Sequence, residues 1–576
     1  MLDLVIRGGT VVDGTGAPAR REDVGISAGK VVALGAVQEP AARQVDAAGL
    51  IVAPGFVDIH THYDAQLFWD PTASPSPLHG VTTVIGGNCG FSLAPAGEQH
   101  ADYLARMMAR VEGMPISALE FLDWKWTSFG EWLGRLDGAI AVNAGFLAGH
   151  SALRRSVMGD GAVSAEASPA QVGAMCELLR RCTAEGALGL STSQAHTHND
   201  GDGQPVPSRA AARGELEALC SALSQCPGTT LELIVPGCLN GFSEEEVELM
   251  GTLSLLANRP ANWNVLGVSS MNPDGCWRQL EASTAAAARG AKVVALTLPH
   301  TMKIRLSFEH GAILDGLPGW RELFATSAEQ RLARLRDPEE RRRLEAGAAS
   351  KEAGILGALA NWKNLRVEET FAPANAGYEG RSIGDIAAEQ SKEPFDALLD
   401  LVVADGLRTG LRPPIPETEA DWGLRAEVWR DPRTIVGGSD AGAHLDVMCG
   451  AIYSTSLLGD GVRKRQLLSW EEAVHQLTDV PARLYGLRDR GRIAEGYHAD
   501  IVLFDPTAVG HGTERTRDDL PGGASRLFAE AEGIARVLVN GTEIVVDGEF
   551  TGEVPGAVLR SGTDTDTVTV PGGQAA

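Results

Sequence analysis

Apolar runs that end in polar residues recur along the middle of the chain and alternate with stretches of helical composition. This alternation of strand and helix patterns is typical of βα units and a parallel sheet. We count eight such runs, at residues 55–62, 81–90, 139–150, 187–194, 229–237, 262–270, 292–300 and 433–440. Eight parallel strands with intervening helices predict an α/β fold of the TIM (β/α)8 barrel type, which carries its chemistry at the carboxyl ends of the strands.

Both ends of the chain show short alternating strands with Gly-rich turns, in DLVIRGGTVVDGTG and in IARVLVNGTEIVVDGEFTG. We therefore expect a small β-sandwich domain made from residues 1–53 and 490–560. The residues between these two segments, 54–489, are expected to form the barrel. The stretch from about 301 to 430 is too long for one βα loop. Its segment RDPEERRRLEAGAASKEAG predicts a helical insertion over the barrel mouth. The polar tail 561–576 predicts disorder.

Composition narrows the class of protein. The 576 residues are 44% hydrophobic and 22% charged, which is ordinary for a globular protein. A formal charge of -25 argues against nucleic acid and anionic membranes as partners, because both attract basic surfaces. No apolar run approaches the roughly 18–20 residues that span a bilayer. Eight cysteines without paired spacing and an acidic start at Met1-Leu2-Asp3 predict a cytoplasmic protein.

Metal-binding side chains follow three of the apolar runs. His60 and His62 end the first run, and strand alternation points both imidazoles the same way. A lone His-x-His pair more often only ends a strand, but here Cys89 ends the second run and Asp440 ends the last. Imidazole, thiolate and carboxylate are ligands of zinc and similar metals. The four residues therefore predict a metal site at the barrel mouth.

Six segments of the chain resemble the amidohydrolase superfamily, and within it the N-acyl-D-amino-acid deacylase branch. They are DLVIRGGTVVDGTG, PGFVDIHTHYD, GVTTVIGGNCGFSLAP, GHSALRRSVMG, IVGGSDAGAH and DLPGGASRLFAEAEGIARVLVNG. The resemblance covers almost the whole length. It implies a zinc-dependent hydrolase of a non-peptide amide bond, most simply that of an N-acyl-D-amino acid. It also implies that His60 and His62 bind zinc, that Cys89 anchors or bridges the metal, and that Asp440 is the catalytic carboxylate.

The chain departs from the family pattern on strands five and six. Members of the branch carry metal-binding histidines there, whereas TTLELIVPG and NWNVLGVSS contain none. We therefore expect one tightly bound zinc ion, and the sequence leaves a second ion open. Several residues are candidate replacements, as ligands of the metal or of the substrate: Glu232, Asn264, the pair His196 and His198 after strand four, and His300 after strand seven.

The substrate is expected to be a small molecule that carries a carboxylate, which an arginine would bind in a charge-assisted pair. Arg154 is the first choice for this arginine and Arg209 the second. His150 and Arg154, both in GHSALRRSVMG, either orient the substrate or join loops. Two other functions stay open: hydrolysis of a cyclic amide or another small-metabolite C–N bond, and a metal-binding homologue that has lost catalysis. The sequence leaves open whether the chain forms a homo-oligomer.

Overall fold

The computed structural model describes residues 1–311 and 313–573, and its centre is a closed barrel of eight strands. The barrel strands, numbered one to eight, are Phe56–Asp58, Val81–Gly86, Asn143–Phe146 with Ala148–Gly149, Gly189–Ser193, Thr230–Ile234, Ala261–Leu266, Val293–Thr297 and Thr434–Val436. Neighbours pair in chain order and always in parallel. A parallel bridge between Thr61 and Ala441 joins the first strand to the last. The predicted TIM barrel is confirmed: each apolar run coincides with a barrel strand, although the sixth strand begins one residue before its run.

Helices cover the outside of the barrel, so its strands are buried on both faces. Ser168, Ser243 and Thr418 begin three of these helices with capping boxes, in which the hydroxyl accepts a backbone N–H of the first turn. The helices around the barrel include Ala101–Val111, Ile116–Leu119, Phe129–Gly134, His150–Met158, Pro169–Ala184, Arg213–Leu223, Glu244–Ala257, Pro273–Ala288, Glu419–Trp429, Trp470–Leu477 and Asp479–Tyr485.

A small β domain is built from both ends of the chain, in agreement with the prediction from sequence. Its nine strands are Leu2–Val11, Arg20–Ser27, Lys30–Gly35, Ala41–Asp46, Ile51–Pro54, Ile501–Phe504, Ile534–Val539, Thr542–Val546 and Glu549–Phe550. Antiparallel pairing of Ile51–Pro54 with Ile501–Phe504 joins the two halves. Leu4 and Ile26 from the first half share one apolar core with Ile501 and Leu538 from the second.

Between strands seven and eight the chain forms a helical insertion with an apolar core of its own, centred on Trp320 and Phe395. Arg305 N donates to Val447 O in the loop after strand eight, and Arg110 pairs with Asp315 at 2.7 Å. The insertion therefore lies on the side of the barrel where the strands end. Its elements are the helices Arg321–Phe324, Ala328–Arg336, Pro338–Ala348, Ile383–Gln390 and Pro394–Ala404, and a hairpin of Arg366–Glu369 with Gly410–Arg412.

The C-terminal tail packs against the base of the barrel. Thr565 Oγ1 donates to Gly228 O at 2.6 Å, just before strand five, and Gly572 N donates to Gly290 O at 2.8 Å, just before strand seven. The prediction of disorder is therefore wrong for residues 561–573, because their backbone groups bond to turns that the sequence pattern of the tail does not reveal. Residues 574–576 lie outside the described residues. In the described part of the chain, no helix has both the length and the apolar character needed to cross a membrane.

Candidate metal centre

Three of the residues predicted to bind metal converge at the carboxyl ends of strands one and two. The side chains of His60 and His62 are fully buried, and Cys89 is almost so. Cys89 Sγ lies 3.3 Å from His60 Nε2 and 3.8 Å from His62 Nε2. Cys89 has a positive φ of 58°, and Glu232 holds this backbone by accepting the Cys89 N–H at 3.0 Å. The thiol is thus directed between the two imidazoles.

Asp440 joins this group from strand eight. Its Oδ1 lies 3.1 Å from His62 Nε2 and 3.7 Å from His60 Nε2. Asp440 N donates to His60 O at 3.1 Å, and the neighbouring Ser439 Oγ donates to Asp58 Oδ2 at 2.6 Å. These bonds tie the end of strand eight to strand one. The structure therefore brings together all four side chains that the sequence placed at strand ends.

A fifth side chain, Glu112, was missed by the sequence reasoning. It follows the helix Ala101–Val111, and its Oε2 lies 3.5 Å from His62 Nε2. Glu112 belongs to no motif and is remote in sequence from any strand end. The only local signal is a Glu-Gly pair at the end of a helix, which also occurs wherever a helix simply stops.

The donor atoms are spaced as ligands of a zinc ion within each of two groups, His60 with His62 and Cys89, and His62 with Glu112 and Asp440. Zinc takes His nitrogen at about 2.0–2.1 Å and Cys sulfur at about 2.3 Å, so neighbouring ligands of a tetrahedral ion lie roughly 3.3–3.6 Å apart. The separations among His60, His62, Cys89, Asp440 and Glu112 given above range from 3.1 to 3.8 Å. Nitrogen, sulfur and oxygen donors of these kinds suit zinc.

The electrostatics of the cluster also favour a cation. Burial alone would lower the pKa of the His62 imidazole, but the carboxylates of Glu112 and Asp440 raise it to about 10. The equally buried His60 has its pKa lowered to about 3 by burial. The pKa of the Cys89 thiol is raised well above its usual range. Burial is the largest cause, and the nearby acidic side chains add to it. A divalent cation at the Nε2 atoms would balance the carboxylates and hold the sulfur as thiolate.

Glu232 and Asn264 stand on strands five and six, where the family histidines are absent. Glu232 is fully buried, and burial raises its pKa to about 8. Its Oε2 accepts the Cys89 N–H, and Asn264 Nδ2 lies 3.3 Å from His60 Nε2. Glu232 does not belong to the groups of described His, Cys, Asp and Glu side chains that are close enough to share an ion. Both contact the predicted metal ligands.

The pair His196 and His198 does not form a second metal site among the described residues. His196 is exposed, whereas His198 is turned inward. His198 Nδ1 lies 2.8 Å from Ser193 Oγ, and its ring packs 5.3 Å from that of Phe91. Burial lowers the pKa of His198 to about 4, with further contributions from His444 and other charged side chains of the cluster. The loop after strand four therefore places one neutral histidine beside the cluster.

His150 and Arg154 bind other residues of the protein, which favours the second of the two expectations for them, that they join loops. Both are fully buried and both bind Glu215: His150 Nε2 lies 2.8 Å from Oε1, and Arg154 Nη1 pairs with Oε2. Arg154 also donates to the carbonyl oxygens of Ala162 and Ala165. Its guanidinium is thus occupied inside the protein and is not available to a substrate carboxylate.

This network predicts a large loss of stability for Glu215→Ala. Removing one member of a buried ion pair leaves the partner charge uncompensated and costs about 3–5 kcal/mol. We expect urea denaturation to show a loss of that size. Glu217→Ala on the same helix is the matched control, because Glu217 pairs with Arg213 at the surface, where a pair contributes about 0–1 kcal/mol. Equal, small losses in both variants would contradict the structural role of the network.

His300 is not part of the cluster of predicted metal ligands, and neither is the larger of two cavities in the structure. His300 Nδ1 lies 2.9 Å from Thr301 O, and the ring lines a small pocket with Ser439 and Lys303. Burial lowers its pKa to about 4. A cavity of about 850 Å³ lies between the insertion and the 510–514 loop. None of the residues that line it is one of the five clustered side chains, and His300 is in neither metal-competent group.

A closed TIM barrel with His, Cys and Asp at the ends of strands one, two and eight defines the class of metal-dependent barrel hydrolases. The model of the Amidohydrolase family matches residues 43–546, and the chain belongs to this family. N-acyl-D-aspartate deacylase of Alcaligenes xylosoxydans xylosoxydans is 30% identical over 569 residues, covering 97% of this chain and 95% of that protein.

Solved structures agree with this assignment over the whole length. A structure of D-aminoacylase matches with a TM-score of 0.64 and 26% identity, and covers 97% of this chain and 100% of that chain. N-acyl-D-glutamate deacylase from Bordetella bronchiseptica, complexed with zinc and a phosphonate inhibitor that mimics the tetrahedral intermediate, matches with a TM-score of 0.64 and 25% identity over the same shares.

Proposed function

We propose that the protein is a zinc-dependent hydrolase that removes the acyl group from an N-acyl-D-amino acid or a closely related small N-acyl compound. The observation that carries this proposal is the convergence of His60, His62, Cys89 and Asp440 at the carboxyl ends of barrel strands. Full-length similarity to N-acyl-D-aspartate deacylase supports the reaction type.

The residues around the site suit amide hydrolysis. A bound zinc ion supplies a Lewis acid that polarises a carbonyl and lowers the pKa of a water molecule towards about 7. Burial would raise the pKa of Asp440, but the imidazoles of His62 and His444 hold it well below its usual range. Asp440 is therefore a carboxylate at neutral pH. It can accept the proton of the attacking water and return it to the leaving amine.

The test is the release of free amine by the zinc-loaded protein from a panel of small amides. The panel contains N-acyl-D- and N-acyl-L-amino acids with acidic and neutral side chains, and a cyclic amide. We expect turnover of at least one N-acyl-D-amino acid and its loss on treatment with a chelator. Turnover of the cyclic amide alone would favour the alternative C–N hydrolase. Zinc binding without any turnover would indicate a metal-binding homologue that has lost catalysis.

Arg209 is the arginine that we propose as the anchor for a substrate carboxylate. Its Nη1 donates to His198 O at 3.0 Å and to Asn199 Oδ1 at 2.8 Å. Among the described residues no acidic side chain pairs with it, and the side chain is half-buried beside His198. A partly desolvated guanidinium without a counter-ion, next to the metal cluster, suits a carboxylate ligand.

Arg209→Met should raise KM about 10- to 100-fold for N-acyl amino acids, because a hydrogen bond to a charged group contributes about 1.5–3 kcal/mol. The amidated analogues, which lack the carboxylate, should lose much less. Steady-state kinetics on both substrate series measure the difference. An equal loss on both series would mean that Arg209 only holds the His198 loop.

The cysteines support a reducing compartment. All eight are buried and free of disulfide bonds. We propose the cytoplasm as the compartment in which the protein works, because structural disulfides are rare there and a thiolate ligand stays reduced.

A further inference from the structure

Glu112 is a buried carboxylate with very few partners. The residue is 3% exposed, and its only ion-pair contact in the described part of the chain is with His62 Nε2 at 3.5 Å. No hydrogen-bond donor reaches its side chain among the same residues. A buried carboxylate is costly unless it is paired with a charge or coordinates a metal. Because Glu112 has so few partners, we expect its carboxylate to bind a ligand.

The backbone fixes Glu112 at the cluster. His444 N donates to Glu112 O at 2.5 Å, which joins the loop after strand two to the loop after strand eight. The next residue, Gly113, has a φ of 59°, and a Cβ there would lie 3.1 Å from His444 Cα. This close approach favours glycine and places the Glu112 side chain next to His62. The backbone at Glu112 is thus held in place, and its carboxylate is a buried group beside His62.

Among the described residues, two groups of His, Cys, Asp and Glu side chains are close enough to share an ion, and both use the same histidine. His60, His62 and Cys89 form one, and His62, Glu112 and Asp440 form the other. All of the distances that join Glu112 and Asp440 to His62 run to its Nε2. A neutral imidazole nitrogen has one lone pair for a metal, so His62 Nε2 can bind one ion. The two groups therefore meet at one ion, which is bound to His62 Nε2.

We propose that Glu112 is a ligand of that single ion, where it supplies the donor that strands five and six lack. The inference deepens the proposed function and rests on it for the identity of the ion as zinc. Glu232 and Asn264 act on the ligands, since Glu232 holds the Cys89 backbone and Asn264 contacts His60. The side chains that lie close enough to share the ion with Glu112 are then His62 and Asp440.

Zinc binding to the metal-free protein tests the proposal without any substrate. A competition titration against a chromophoric chelator gives the affinity and the number of ions per chain. We expect one ion for the wild type and an affinity about 10- to 100-fold lower for Glu112→Gln, the size of loss that even outer-shell partners of metal ligands produce. Glu120→Gln is the control, because Glu120 carries the same charge nearby but is exposed. Its affinity should equal that of the wild type.

Thermal unfolding separates a ligand from a structural residue. Without metal, Glu112→Gln should still fold and unfold cooperatively, because glutamine has the same size and Asp440 still pairs with His62. With zinc, its gain in Tm should be smaller than that of the wild type, because stabilisation follows affinity. Glu112→Asp should fall between the two in affinity.

Three results would overturn the proposal: an unchanged zinc affinity in Glu112→Gln, two tightly bound ions per wild-type chain, or a metal-free variant that no longer folds. A protein that binds zinc through Glu112 but releases no amine from the substrate panel would refute the proposed function alone. The failure of one proposal can thus be told from the failure of the other.

Discussion

Asp440→Asn is expected to lower kcat by about 100- to 10,000-fold, the usual contribution of a general acid–base group. Asparagine has nearly the same shape but cannot accept a proton from water. The backbone bond from Asp440 N to His60 O is retained, so the end of strand eight should keep its position. The pKa of Asp440 lies well below its usual range, so the wild-type side chain is a carboxylate at neutral pH. Steady-state kinetics on the best substrate of the panel measure the loss.

Two measurements make this result specific. Zinc content measured at saturating zinc should remain near that of the wild type, because His60, His62, Cys89 and Glu112 are unchanged. Asp431→Asn is the control and should retain wild-type activity. Asp431 lies just before the start of strand eight, at the opposite end of the strand from the site, and it binds Arg433. If Asp440→Asn kept more than about a tenth of the activity, the assignment of Asp440 as the proton shuttle would be wrong.

His62→Ala should have the largest effect on metal binding. Its Nε2 is the only donor atom common to both groups of candidate ligands, with Cys89 Sγ, Asp440 Oδ1 and Glu112 Oε2 within 3.8 Å. Loss of even an outer-shell partner costs about 10- to 100-fold in metal affinity. We therefore expect a loss of at least about 100-fold in zinc affinity, and loss of turnover with it.

The comparison variant for this experiment is His196→Ala. His196 also lies on a loop at the barrel mouth, but it is exposed and belongs to neither group of candidate ligands. Its zinc affinity and activity should match the wild type. If His196→Ala lost zinc and His62→Ala retained it, the ion would be bound by the loop after strand four and not at the ends of strands one, two and eight.

The barrel could be predicted from the sequence because its strands are parallel and covered on both sides. Such strands read as continuous apolar runs, and the polar residue that ends each run marks the functional edge of the barrel. The sequence also indicated the insertion, since the stretch between runs seven and eight is too long for a loop. The tail was misjudged, because its contacts at Gly228 and Gly290 are made by backbone atoms and by Thr565, without an apolar pattern.

The partners of charged side chains could not be predicted in the same way. Arg154 and Glu215 are 61 residues apart, and nothing in either local pattern shows that they meet. Arg209 has no acidic partner among the described residues. The sequence around Arg209 does not show this either, because it depends on which side chains the fold places nearby. Whether an arginine is available to a substrate depends on which carboxylate the fold places beside it, and a motif such as GHSALRRSVMG does not contain that information.

The sequence by itself determined the barrel, the β domain at its ends, and the convergence of His60, His62, Cys89 and Asp440. Topology explains this, because the carboxyl ends of successive parallel strands meet at one edge whatever the loops do. Only the tertiary structure decided that Arg154 is internal and that Glu112 lies at the metal centre. Glu112 reaches His62 through a helix end bonded to the loop after strand eight. Such contacts depend on how loops of irregular length fold against each other, and local periodicity does not record that.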